Sequence, residues 1–275
     1  MSDCIIFVTG YTGYIGSNFV KHLKLTKDKY QIVTIGRNIE SINNNEHLNS
    51  NSKMILFHLA THFSKENSES QLIEKCNIDF GKNILKFFEN KNLTKIIYTN
   101  SMYSFYKDKR IRNLYYTQSK NIFSEHLNNF VEKNGIILDE IFLDNTFGNI
   151  DKRKKIVQTI VDSIKLEKSN PVQNKNLFVN LTYILDVIKR LESSISNNIF
   201  TKSSFISQEN VNINSIYEFL NLYYKERIVD KSLISWKELD YISNFPKIST
   251  EGILMTGLYD GLINTFNINN SYGNF

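Results

Sequence analysis

Cysteine is scarce in this chain of 275 residues: Cys4 and Cys76 are its only two. Two thiols so placed make neither a disulfide framework nor a zinc site, so a reducing, cytoplasmic setting is the expectation. Long apolar runs are missing as well, and none approaches the length that a membrane-spanning helix needs. The first apolar run begins at Cys4, close behind Met1, so no secretory signal is expected before it. A strong charge of one sign is also absent. Lysine and arginine total 33 against 28 aspartates and glutamates, a net charge of +5. That excess is too mild to point to nucleic acid. What remains is an ordinary globular composition, 41% hydrophobic and 22% charged, which can supply a large core. The length suits one α/β unit, alone or with a small appended lobe.

The most informative stretch is CIIFVTGYTGYIGSNF, residues 4–19. Ile5, Ile6, Phe7 and Val8 are a run of strand formers. Gly10, Gly13 and Gly16 follow at the spacing G-x-x-G-x-x-G, and Phe19, Val20 and Leu23 then recur at helical spacing. Strand, glycine turn and helix are the context in which such glycines bind a dinucleotide. Gly10 permits the tight turn, Gly13 lets the backbone approach a pyrophosphate, and Gly16 lets the helix pack close to the strand. The helix start, with Thr12, Tyr14 and Ile15, offers free N–H groups and a positive dipole end to the phosphates. No Gly-Lys-Ser/Thr follows, which argues against a phosphate-hydrolysing P-loop.

A second strand is expected over residues 30–35 (YQIVTI), ending in Gly36 and Arg37. An acidic residue at that end would accept the adenosine ribose hydroxyls, whereas an arginine pairs with a 2′-phosphate. Arg37 therefore favours NADP(H), with NAD(H) the alternative. Residues 38–53 are polar and Asn-rich, with no strand or long helix in them. Strands are predicted over 54–59, 95–99 and 136–143, and helices over 71–89 and 114–131. Leu59, Ala60 and Thr61 close one strand with small residues, where a dinucleotide can lie across them, and Thr99 closes the next. His58 and His62 are four apart, but a strand-to-loop segment does not put them on one face, so no metal is expected.

The alternation predicts an α/β fold, a Rossmann-type doubly wound parallel sheet with helices on both faces, over residues 1–150. From 151 to 275 the alternation loosens. The basic run 152–155 is a solvated helix start. Helices are expected over 156–166, 183–191, 211–224 and 250–266, short strands over 177–181 and 198–205, and a frayed tail over 267–275. This part is expected to be mainly a small C-terminal substrate-binding lobe, with late elements packing back on the sheet.

Ser101 follows one predicted strand, and the next helix carries Tyr116 and Lys120 one turn apart on one face. An isolated Tyr-x-x-x-Lys is a common surface pair. Downstream of a dinucleotide turn and one strand after Ser101, it gains a chemical meaning. A tyrosine hydroxyl normally titrates near pH 10. A neighbouring ammonium and an oxidised nicotinamide would stabilise its phenolate. Tyr116 could then give a proton to a carbonyl oxygen as hydride arrives, or take one in reverse. Ser101 would hold the same oxygen, and Lys120 would also bind the nicotinamide ribose.

Five segments, TGYTGYIG (9–16), HLAT (58–61), YTNS (98–101), YTQSK (116–120) and NTFG (145–148), occur in the order found in the extended short-chain dehydrogenase/reductases. The chain resembles the NAD-dependent epimerase/dehydratase group of that family over nearly its whole length. The resemblance implies that Ser101, Tyr116 and Lys120 are catalytic, that Met102 and Asn145 lie near the substrate, and that the protein pairs as a homodimer. HLAT and the small size look most similar to the reductases that make CDP-dideoxyhexoses, such as abequose and paratose synthases. That implies NADPH-dependent reduction of a 4-keto, nucleotide-linked sugar for polysaccharide biosynthesis. A 4-epimerase holding NAD tightly is the alternative, and a non-catalytic dinucleotide-binding regulator a second. Three departures from the family pattern stand out. Asn149 replaces a common proline. The segment 179–186 (VNLTYILD) lacks the usual arginine. Met102 and Tyr103 stand where dehydratases carry Asp-Glu, which argues against dehydration.

Overall fold

The computed structural model describes residues 4–25, 30–39, 52–148, 153, 155–250 and 252–271. The chain begins with β1 (Cys4–Thr9), α1 (Tyr14–Leu25), β2 (Gln31–Ile35) and β3 (Lys53–His58). Next come α2 (Ser70–Glu74), α3 (Phe80–Phe88), β4 (Leu93–Ser101), α4 (Lys109–Arg112), α5 (Tyr115–Asn134) and β5 (Ile137–Leu143). Then follow β6 (Asn145–Phe147), α6 (Ile156–Lys165), β7 (Phe178–Val179), β8 (Leu181–Tyr183), α7 (Ile184–Ser196) and β9 (Thr201–Ser204). The last are β10 (Glu209–Asn212), α8 (Ile213–Glu226), β11 (Trp236–Glu238) and α9 (Leu258–Ser271). No helix among the described residues is long and apolar enough to cross a membrane. Two compact units divide the chain. One holds residues 1–143, 191–204 and 241–249, the other residues 144–190, 205–240 and 250–275.

The first unit is built on a six-stranded sheet of order β2-β1-β3-β4-β5-β9. Every neighbouring pair is parallel. Parallel neighbours need crossover connections, which lay helices on the faces of the sheet. On one face Ile5, Phe7, Leu56, Ile96, Tyr98 and Leu138 pack with Ile84 and Phe88 of α3 and Phe123 and Leu127 of α5. On the other, Phe57, the register partner of Val8, packs on Phe19 of α1 with ring centroids 4.5 Å apart. Burial on both faces explains why these strands are continuous apolar runs. Residues 241–249 close the far edge, where Ser204 N–H donates to Lys247 O and Ser249 N–H to Ser204 O, both at 3.0 Å.

The second unit holds a three-stranded antiparallel sheet, β11-β10-β7, and the parallel pair β6-β8. Asn180, fully buried between β7 and β8, donates to Ser207 O at 2.9 Å and Glu209 O at 3.2 Å and accepts from Ser207 N–H at 3.0 Å. A carboxylate there could accept but not donate, so this chain needs the amide. Asp186, also buried, accepts from Thr256 N–H at 3.0 Å and from its hydroxyl at 2.6 Å.

Several expectations need correction. The helix over 71–89 is interrupted by a π-helical turn, Lys75–Asp79. The strand over 177–181 is two strands, β7 and β8, in different sheets. Val211 is not helical but lies in β10 opposite Val179. The helix starts after Asn212, whose side chain accepts from Ser215 N–H at 3.0 Å. The final helix starts only at Leu258, because Gly257 has φ +82°, and it runs to Ser271 through residues expected to fray. The tail 272–275 lies outside the described residues, as do 40–51 of the Asn-rich connection and Lys152 and Lys154 of the basic run. β6, β11 and α4 were not expected; each is too short to carry a periodic pattern.

Lys95, on β4, is buried and donates to the carbonyls of Ser194 at 2.9 Å, Ile195 at 3.0 Å and Asn197. It thus caps the last turn of α7 with a positive charge, which suits the negative end of that helix. Lys95→Met should leave those carbonyls unpartnered and lower stability by about 3 kcal/mol in urea unfolding.

Candidate active site

The turn after β1 is fixed from beneath. Thr9 Oγ1 accepts from the N–H groups of Leu59 at 3.1 Å and Ala60 at 3.2 Å and lies 3.1 Å from His58 Nδ1. Both oxygen lone pairs are then used, so the threonine hydrogen donates to Nδ1 and the imidazole carries its proton on Nε2. Burial holds His58 neutral, its pKa lowered to about 3, and the charge of Lys120 works in the same direction.

Gly10 follows at φ +67°, and a Cβ there would stand 2.6 Å from Ala60 N and Leu59 C. At Gly16 a Cβ would come 2.2 Å from Gly10 O. The protein's own backbone therefore requires both glycines. Gly13 differs. A Cβ there would meet only Gly10 O, at 3.2 Å, and its outer side is open and exposed. That open side, with the first-turn N–H groups of α1 beginning at Tyr14 and Ile15, fits a pyrophosphate. Thr12 is exposed beside it. Leu59 and Ala60 meet the turn directly, and Thr61 follows them, its hydroxyl 3.3 Å from Asn77 Oδ1. Arg37 is exposed just beyond the end of β2. A dinucleotide bound here would be held by these groups and would supply redox chemistry at its nicotinamide.

Ser101 ends β4 and is buried. Its Oγ accepts from Tyr103 N–H at 3.2 Å, which leaves the hydroxyl hydrogen to donate elsewhere. Tyr116 and Lys120 lie in the first turns of α5. Lys120 is buried, its Nζ 4.3 Å above the Tyr98 ring and donating to Thr99 O at 2.7 Å. Two of its N–H groups are left for other partners. Burial pushes the Lys120 ammonium down to about 7, and the charge of Glu140 opposes that shift. The Tyr116 ring meets Phe63 edge-on at 4.9 Å and Tyr103 at 6.1 Å. Lys120 on Thr99, and Tyr103 between Ser101 and Tyr116, tie the three candidate residues to one end of β4. Met102 is buried next to Ser101. Asn145 belongs to the second unit, where it starts β6 and donates to Asp144 Oδ1 at 2.8 Å.

Sequence reasoning placed Asn77 in a core helix and gave it no task. In the structure it sits in the π-helical turn, 2% exposed. Its Oδ1 accepts from His62 N–H at 2.7 Å, and its amide donates to His62 O and Ser119 Oγ, both at 3.0 Å. Ser119 in turn donates to Tyr116 O at 2.7 Å. One side chain thus joins the loop after β3 to the start of α5. The available signal was a polar residue at a core position of an apolar helical pattern. Phe63 and Tyr103 were also missed, since only tertiary packing brings their rings to Tyr116.

A doubly wound parallel sheet with a glycine turn at its first strand end defines a dinucleotide-binding α/β protein. The profile of the NAD dependent epimerase/dehydratase family matches residues 6–190, more than half of the chain, and the chain belongs to that family. A curated relative from Synechocystis sp., described as "Putative dihydroflavonol 4-reductase", is 28% identical over 116 residues. That match spans 37% of this chain and 34% of the relative, about a third of its length. Among solved structures, UDP-glucuronic acid 4-epimerase from Bacillus cereus in complex with NAD superposes with a TM-score of 0.73 at 19% identity, covering 96% of each chain. UDP-N-acetylglucosamine 4-epimerase from Methanobrevibacter ruminantium gives 0.75 at 17% identity, covering 98% of this chain and 99% of that one. A GDP-L-fucose synthetase from Naegleria fowleri gives 0.74 at 14% identity, covering 99% and 95%. At these identities the likeness establishes the fold.

The three glycines predict a separable outcome. Gly13→Ala, its methyl group 3.2 Å from Gly10 O, should lose less urea stability than Gly16→Ala, whose methyl group would stand 2.2 Å from the same oxygen, yet weaken dinucleotide binding by about tenfold or more. Gly16→Ala should lose stability and binding together, because its methyl group strikes backbone. Fluorescence titration with NADH and NADPH, beside urea unfolding, separates the two.

Proposed function

We propose that this protein reduces the 4-keto group of a nucleoside-diphosphate-linked 6-deoxy sugar with NADPH, in the making of a surface polysaccharide. The observation that carries the proposal is the grouping of Ser101, Tyr116 and the buried Lys120 at the end of β4. In this reading Ser101 donates a hydrogen bond to the sugar ketone. Tyr116 gives its proton to that oxygen as hydride reaches the carbon. Lys120 stabilises the phenolate left behind and holds the nicotinamide ribose. A bound NADPH supplies the hydride. Gly10, Thr12, Gly13, Tyr14, Ile15 and Gly16 hold the pyrophosphate, with Leu59, Ala60, Thr61 and Thr99 along the cofactor.

Arg37, exposed beyond β2, supports a 2′-phosphate contact. The Phe63 and Tyr103 rings beside Tyr116 support an apolar face for a deoxy carbon. Met102 is buried and carries no acid or base, which speaks against a dehydratase. Exposed Leu72 on α2 and Ile122 on α5 support pairing of two copies through these helices. Asn145 is proposed as a further substrate contact on the family pattern. A cytidine diphosphate is the first nucleotide to test.

The test is NADPH and NADH oxidation against CDP-, dTDP- and GDP-linked 4-keto sugars. NADPH-dependent turnover is expected, and Tyr116→Phe should lower it by roughly a hundredfold or more. Full activity in that variant would sink the mechanism. Arg37→Ser should reduce the preference for NADPH by about tenfold, and equal use of NADH by the wild type would remove the role given to Arg37. NAD that co-purifies and turns over without net consumption marks the 4-epimerase instead. Cofactor binding without turnover on any sugar marks a regulator.

A further inference from the structure

Glu140 is fully buried in β5, and nothing in the proposed reaction uses it. An unpaired carboxylate at such a position would be costly, and this one is surrounded by polar groups. Its Oε1 accepts from Asn100 Nδ2 and from Ser124 Oγ, both at 2.6 Å. Lys202 of β9 approaches its Oε2 at 3.3 Å. The bonds run on towards the site. Asn100 Oδ1 accepts from the N–H of Ser101 at 2.7 Å, so the carboxylate holds the amide, and the amide holds the backbone of the candidate catalytic serine.

The sheet geometry explains the reach. Tyr98 is the register partner of Glu140, and Asn100, two residues on, points to the same face. α5 packs on that face. Ser124, one turn after Lys120, bonds the carboxylate directly. Lys120 itself lies over the Tyr98 ring. Among the described residues, the ionisable groups near this cation include Tyr98 from β4, His58 from β3 and Glu140 from β5, with Tyr116 one turn before it on its own helix. Glu140 supplies the negative charge among them, and Lys202 faces it from β9.

We infer that Glu140 is a positioning residue for hydride transfer, which fixes Ser101 through Asn100 and keeps Lys120 charged through its own negative charge. The inference rests on the reductase reading above. Its physical basis is twofold. A buried ammonium loses the favour of water, and a fixed carboxylate in the same low-dielectric region restores part of it. A serine that must meet a ketone oxygen gains from a backbone held on its own strand. Each single bond is modest, but the chain from Ser124 through Glu140 and Asn100 to Ser101 links α5 to the strand end that it serves.

The test uses Glu140→Gln, which keeps the shape and most of the bonding, and Asn100→Ala, which cuts the relay and keeps the charge. Lysine labelled at its ε-carbon reports the titration of Lys120 by NMR, assigned with Lys120→Arg. In Glu140→Gln the Lys120 midpoint should fall by about one pH unit or more, with circular dichroism and urea unfolding verifying the fold. The alkaline limb of kcat/KM should move down with it. In Asn100→Ala the midpoint should stay, while kcat falls by about tenfold at an unchanged cofactor Kd. An unmoved Lys120 midpoint in folded Glu140→Gln overturns the electrostatic half. Wild-type kcat in Asn100→Ala overturns the positioning half, and it does so even where Glu140→Gln fails to fold. The NMR midpoint needs no substrate, so failure of the reductase reading leaves it readable.

Discussion

Everything at the site hangs on one hydroxyl group. Thr9 ends β1, and its oxygen takes the backbone N–H groups of Leu59 and Ala60 at the end of β3. That pair of hydrogen bonds holds two neighbouring strand ends so closely that Gly10, just after, has no space for a side chain. Only then does α1 start in line with the turn, and only then do its N–H groups aim at one place. His58 completes the arrangement by accepting the threonine's hydrogen, which a protonated imidazole could not do. Its neutrality belongs to the architecture as much as to the local chemistry.

What was legible in the sequence was local. The glycine turn, the strand before it and the helix after it lie within Cys4–Leu25 and declare themselves by spacing. Tyr116 and Lys120 are one helical turn apart, so their shared face follows from geometry alone. The parallel sheet followed from the alternation of strand and helix. The hidden parts needed the third dimension. A π-helical turn at Lys75–Asp79 breaks the helical period and lets Asn77 bond both the loop at His62 and Ser119 of α5. Glu140 sits beside Asp139 in IILDEIFL, where two adjacent acids in an apolar strand give no hint of Asn100 or Ser124. Val211 belongs equally well to a strand or a helix until its partner Val179 is known.

The family match and the fold match reach different distances. The family profile stops at residue 190, whereas the superposed epimerases cover nearly the whole chain. The early region carries the glycine turn and the group of Ser101, Tyr116 and Lys120. Later in the chain the packing rests on particular residues such as Asn180, which donates to Ser207 O and Glu209 O. Low identity with a retained frame is the expected result when the cofactor geometry is demanding and the rest only has to pack.

β9 gives the chain a problem of timing. The sheet takes its last strand from Thr201–Ser204, more than fifty residues after β5 ends at Leu143. During synthesis β5 emerges with one edge unpaired and must wait for its neighbour. An open apolar edge invites pairing with another chain. Such a long-range parallel pairing is also slow to close, because the loop must be ordered before any contact rewards it. The polar groups at that edge, Asp139 beside Thr201 and Glu140 beside Lys202, give the waiting strand two charges that a foreign strand would find hard to cover. In this sense the same carboxylate that serves the site also guards the nascent sheet until its own last strand arrives.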